Sequence, residues 1–168
     1  MRQLGELTYP WDTARATLAY EKAIENKSDQ VWDYIYLARL YQRGANLQAS
    51  KLILIQAQNL DVSERDRAVI SDEIGDVARA QGDLTAARTA YEDGLKIANT
   101  LAQSDPTNTG FQRDLMVSHW KLAQLDGEDA ASHWQSAYDV LKALDVAGKM
   151  QPVDQTVLEF LENKVKTP

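Results

Sequence analysis

The stretch QGDLTAARTAYEDGL, residues 81–95, sets a small side chain at Ala87, a large aromatic at Tyr91 and a second small position at Gly94. Positions i, i+4 and i+7 share one face of an α-helix, so the segment reads as a helix carrying a bulky knob between two hollows. A neighbouring helix can approach closely over the hollows while the knob enters its groove. The same spacing recurs as Ala16, Tyr20, Ala23 in ARATLAYEKAI, as Ser50, Leu54, Ala57 in ASKLILIQAQ, and as Ala130, Trp134, Ala137 in AASHWQSAY. Its recurrence along 168 residues reads as a packing code.

A second pattern precedes three of these stripes. YIYLARLY offers Tyr34, Leu37, Ala38 and Tyr41; SDEIGDVA offers Ser71, Ile74, Gly75 and Ala78; HWKLAQL offers His119, Leu122 and Ala123. In each, a large aliphatic is followed at once by a small residue. "RD" also recurs at Arg65-Asp66 and Arg113-Asp114, with Val69 and Val117 three positions after the Asp. The chain is therefore read as a series of helix pairs. Helices are expected near 12–26, 30–43, 47–59, 64–81, 84–104, 111–126, 128–146 and 153–166. Asp12, Asp83 and Asp154 are the expected N-caps, each ahead of an apolar-periodic run. The composition of SDPTNTG marks a loop.

These segments resemble the tetratricopeptide repeat (TPR) family. IGDVARAQGDLTAARTAYEDGL carries the family's Gly-Asp-Leu turn at Gly82, Asp83 and Leu84, and YIYLARLYQRGANLQASKLILIQA carries Ala38 for the usual Gly and Asn46-Leu47 at the turn. The copy LAQLDGEDAASHWQSA is abbreviated, and the extension through KIANTLAQ is similar to the longer bacterial versions of the repeat. The resemblance implies an all-α fold, a right-handed superhelical stack of antiparallel helix pairs forming a TPR-like solenoid. One domain over 1–168 is expected: a half repeat at 12–26, a repeat at 30–62, an extended repeat at 64–106 and an abbreviated repeat at 111–146. The half-apolar helix at 153–166 suits a C-terminal cap that seals the open end.

Composition narrows the function classes. Acidic residues number 25 against 18 basic, a formal charge of -7. A surface that acidic repels phosphate backbones and anionic lipid, so neither nucleic acid nor membrane is an expected partner. There are 0 cysteines, which removes disulfides, thiolate metal sites and a thiol nucleophile. No apolar run approaches a membrane span, and MRQLGELTYPWD lacks the apolar core of a signal peptide, so a cytoplasmic location is the expectation.

No catalytic constellation of weight is present, and the chain is not expected to be an enzyme. It has no GxSxG, no GxGxxG and no Walker-type loop, since GANLQASK lacks the second glycine and the Gly-Lys pair. His119, His133, Asp126, Glu128 and Asp129 can be drawn as a metal site. No HxxxH or HxxE spacing supports it, and packing or capping roles are preferred, so no metal and no cofactor are expected. Asp72 and Asp76 form an i, i+4 carboxylate pair with Arg79 one turn beyond Asp76, which reads as a solvated or salt-bridged face.

In the TPR family the first helix of each pair lines a concave groove. Carried over by position, the resemblance puts Trp32, Ile35, Arg39, Gln42 and Arg43 in the groove from one pair, Val69, Asp72, Asp76 and Arg79 from the next, and Val117, Trp120 and Gln124 from the third. The implied function is a non-catalytic scaffold binding a peptide or helical segment of another protein. Trp32 and Trp120 serve either as aromatic anchors, a residue type favoured at binding hot spots, or as packing against neighbouring helices. Arg39 and Arg43 are like charges one turn apart and call for an offset: an acidic ligand, or Asp72 and Asp76 on the adjacent helix. The positions of the family's carboxylate clamp read Ile35 and Arg39, so chaperone tails are not the expected partner. The alternative is homo-oligomerisation, or docking to an upstream signalling domain, over the edge left by the half repeat.

Overall fold

The structure, a computed structural model, describes residues 13–125 and 127–166. Asp12, expected as an N-cap, and Asp126, drawn into the metal set, lie outside the described residues. Among those residues there are eight α-helices and no strand, so the protein is all-α. The chain divides into two compact units, Met1–Ala87 and Arg88–Pro168.

The first unit holds α1 (Thr13–Glu25), α2 (Val31–Arg43), α3 (Leu47–Gln58) and α4 (Glu64–Ala80), and the start of α5 (Leu84–Ser104). Helices α2 and α3 form an antiparallel hairpin. Val31, Tyr34 and Ile35 at the start of α2 cluster with Ala57 near the end of α3, and Ala38 further along α2 meets Leu54. Ile70 joins the first cluster and Val77 the second, so α4 runs beside α2 in the same direction. The Ser50–Leu54–Ala57 stripe is fully buried, and Ser50 Oγ donates to the Ala38 carbonyl at 2.9 Å. A side chain no larger than serine lets the two backbones come this close.

The turns show why the chain reverses where it does. After α2, Ala45 takes φ 57°. The Asn46 N–H then donates to Tyr41 O at 2.8 Å and the Ala45 N–H to Gln42 O at 2.9 Å, a left-handed C-terminal cap that satisfies the last carbonyls of the helix. After α4 the same geometry is built at Gly82 (φ 80°), with Asp83 N–H on Ala78 O at 2.9 Å. Each following residue caps the next helix: Asn46 Oδ1 accepts from Ala49 N–H at 3.2 Å, and Asp83 Oδ1 from Ala86 N–H at 3.0 Å. Two equivalent positions of the sequence repeat thus fold identically.

The second unit holds the rest of α5, α6 (Thr109–Ala123), α7 (Ala130–Val146) and α8 (Pro152–Lys166). Its main core joins Met116 of α6, Ala137, Leu141 and Leu144 of α7, and Leu158 and Leu161 of α8. A second cluster ties Ala98 and Ala102 of α5 to Leu115 of α6. Asn108 starts α6 by accepting from Gly110 and Phe111 N–H at 3.0 and 3.2 Å, two residues ahead of the start expected from periodicity. The start of α8 corrects the sequence reading. Pro152 occupies the first helical position, where no N–H is needed. Asp154 is therefore the third residue of the helix and no N-cap, and its Oδ2 reaches back to accept the Gln151 N–H at 2.7 Å. No helix among the described residues is long and apolar enough to cross a membrane.

Candidate functional site

In the first unit, the residues singled out by sequence gather on α2 and α4. Ile35 is the correction: it is 0% exposed, in the core with Val31, Tyr34 and Ile70, and presents nothing to a ligand. Positional analogy sets it outward, whereas Val31, Tyr34, Ile35 and Ala38 form one inward apolar stripe. Trp32 is half-buried, its ring 5.7 Å from Tyr36, and Tyr36 is 5.8 Å from Tyr20 of α1. Asp72 and Asp76 are half-buried; Arg43 and Arg79 are exposed.

Arg39 resolves differently from either offset open at the sequence level. Its Nε and Nη2 donate to Glu73 Oε1 at 2.9 and 2.6 Å, and Gln42 Nε2 donates to Glu73 Oε2 at 3.5 Å. The Glu73 side chain is 7% exposed and that of Arg39 41%. The sequence reading of this helix rests on the flanking aspartates and omits Glu73. Its signal was present in the sequence: Ile70, Glu73 and Val77 share one helical stripe, and a carboxylate on an inward stripe demands a cation. On the far side of α2, Tyr41 Oη donates to Glu21 Oε1 at 2.7 Å. Burial, then the Glu21 carboxylate, pushes the Tyr41 phenol up to about 12.

In the second unit, Trp120 and Gln124 of α6 are half-buried. The Trp120 ring stacks on Phe160 at 4.7 Å and meets Trp134 edge-on at 5.3 Å, so it is the centre of an aromatic layer between α6, α7 and α8. Lys164 Nζ lies 5.4 Å from the Trp134 ring and 5.5 Å from that of Phe160. Phe160 is 40% exposed, and Val117, one turn before Trp120 on α6, is 39% exposed. Phe160 was not singled out by sequence, since a lone aromatic on a terminal helix carries no spacing signal.

Two turns before Trp120 on α6, Arg113 Nε and Nη2 donate to Asp154 Oδ2 at 2.9 and 2.5 Å, and Nη2 also donates to Lys149 O at 3.1 Å. The hydrogen bond from Arg113 holds the Asp154 carboxyl below the usual carboxylate range. The two histidines meet: His119 Nδ1 and His133 Nδ1 are 3.0 Å apart. Burial first, then His133, pulls His119 down to about 4. His133 Nε2 is 3.6 Å from Asp129 Oδ2, and Arg88 Nη1 is 2.6 Å from the same oxygen. Glu128 is exposed. Among the described residues no group of three or more His, Asp or Glu is placed to hold a metal ion.

Helix hairpins closed by tight small-residue contacts, with ion pairs tying α2 to α4 and α6 to α8, define the class: an all-α protein of paired helices. Comparison with known proteins finds no family model that matches the sequence and no curated protein that matches it.

Proposed function

We propose that the chain is a non-catalytic, TPR-like interaction module, cytoplasmic in location, that receives a peptide or helical segment of another protein. The observation that carries the reading is the side-by-side placement of α2 and α4. Arg39 is fixed by the buried Glu73 yet keeps 41% of its side chain exposed, with Arg43 and Arg79 exposed on the same two helices. A guanidinium already oriented before binding avoids part of the ordering cost a ligand must otherwise offset. Trp32 supplies apolar area beside it.

This geometry selects the variants. Arg39→Ala strands a buried carboxylate and Trp120→Ala opens the aromatic layer, so neither separates binding from folding. Arg43→Ala does. After capture of a partner, calorimetric titration should show that variant binding at least tenfold more weakly with an unchanged melting temperature. Equal affinities would overturn the assignment of this face.

Self-association is favoured by a separate observation: Leu52 and Ile55, one turn apart on α3, are 52% and 43% exposed. A dimer seen by sedimentation that dissociates in Leu52→Lys/Ile55→Lys supports that reading. A monomer at every concentration dismisses it.

A further inference from the structure

The contact between His119 of α6 and His133 of α7 is not used by the interaction reading above and stands independently of it. Two imidazole Nδ1 atoms 3.0 Å apart are within hydrogen-bond distance, and that gap holds one hydrogen. The tautomers follow from the surroundings. Asp129 Oδ2, 3.6 Å from His133 Nε2, favours a proton on that nitrogen and leaves His133 Nδ1 as a lone pair. His119 therefore donates its Nδ1–H to His133. The first added proton goes to the bare Nε2 of His119, or to His133 Nδ1 with the bridging hydrogen moved round to His119 Nε2. Either way one hydrogen remains in the gap. The second added proton fills all four ring nitrogens and sets two N–H groups head to head at 3.0 Å, which forces the rings apart.

The charged groups around the pair do not relieve this. From α5, Arg88 is committed to Asp129 at 2.6 Å and approaches Glu92 at 3.9 Å. Lys121 of α6 directs its Nζ at the Tyr91 ring, 5.5 Å away, and Lys164 of α8 lies over Trp134 and Phe160. Asp129 and Glu92 stand against the single cation Arg88, which leaves one negative charge, so one imidazolium is compensated and a second is not. Each histidine immediately precedes a tryptophan of the aromatic layer, Trp120 and Trp134. Separation of the rings therefore pulls directly on the surface that seats Phe160 of α8.

We propose that the His119–His133 pair is an acid latch on the α6–α7 hairpin, closed with zero or one added proton and opened by the second, which loosens the Trp120–Trp134–Phe160 layer. The depressed titration of His119, to about 4, agrees with a site that resists full protonation.

The test follows the intact chain from pH 7 to pH 3.5. Long-range proton–nitrogen NMR reads the tautomer and titration of each ring, and amide protection factors along α6 and α7 read opening. The expected result is an Nδ1–H tautomer at His119 at pH 7, and protection across 116–123 and 133–141 that falls at least tenfold as the pH drops through about 4. In His119→Asn, whose side-chain amide can still donate to His133, that step should vanish or move at least one pH unit lower. Superimposable profiles in the two proteins would overturn the latch. So would ordinary titration of both rings near 6.5, or one equivalent of zinc binding the pair at pH 7, which would make it a metal site. Should His119→Asn fail to fold, the wild-type nitrogen titration decides alone.

Discussion

Ala45 and Gly82 stand at equivalent places after α2 and α4, at φ 57° and 80°, and only one of them suits that conformation. A Cβ in the left-handed region costs roughly 1 kcal/mol, which glycine does not incur. Ala45→Gly should therefore raise stability by about 0.5–1 kcal/mol, and Gly82→Ala should lower it by about 1 kcal/mol, both read from urea unfolding midpoints. The small positions of the stripe obey a different rule. Ala87 and Tyr91 are fully buried, and Gly94 and Ala137 are buried with them. Ala87→Leu should cost roughly 1–3 kcal/mol by overfilling, whereas Thr89→Leu, two residues away and exposed, should be nearly silent in the same thermal melts. At this scale the sequence told which side chains turn inward wherever hydrophobic spacing was followed. It misled at Ile35, where a position borrowed by resemblance overrode the apolar stripe of its own helix.

Helices were legible because period and punctuation agree. The expected 84–104 is observed as Leu84–Ser104 and 47–59 as Leu47–Gln58, each opened by an Asp or Asn whose side chain accepts the first free N–H groups. Disagreement concentrates where a start signal is ambiguous, as at Pro152, whose place at the first helical position moves Asp154 inside α8. That shift gives Asp154 its second role, as the anchor of α8 on α6 through Arg113. Asp154→Asn should lower stability by about 3 kcal/mol, the low end for breaking a buried pair because the Arg113 side chain is still 16% exposed. The pH dependence has a definite sign. A carboxyl held below its unfolded value contributes stability above the ordinary carboxylate range, and loses it as pH falls through the lowered value. Near-ultraviolet circular dichroism of the tryptophans should register a smaller acid loss in Asp154→Asn than in the wild type.

Across the whole molecule the acid-sensitive contacts are unevenly distributed. The depressed histidine and the depressed, buried Asp154 both belong to residues 88–168. A histidine neutral in the native state and ordinary in the unfolded one loses stability as pH falls from about 6.5 towards 4, by at most about 2 kcal/mol between pH 7 and pH 5. Hydrogen exchange at pH 4.5 should thus quicken in residues 109–166 before it does in residues 31–80, and the reverse order would show that the stability of the first unit is the more acid-labile. The partners in the two interhelix ion pairs could not be read in advance. Arg39 and Glu73 are 34 residues apart, and Arg113 and Asp154 are 41 apart. Helical period states which face is inward but not which side chain across the interface will meet it. The placement of Leu158 and Leu161 has a further outcome for a chain made from one end to the other. The buried residues that cluster between α2, α3 and α4 run from Val31 to Val77, so they can come together while later codons are still being read. Met116, Ala137 and Leu141 must wait for Leu161, and until it emerges from the ribosome they present an open greasy seam that a chaperone would be expected to shield.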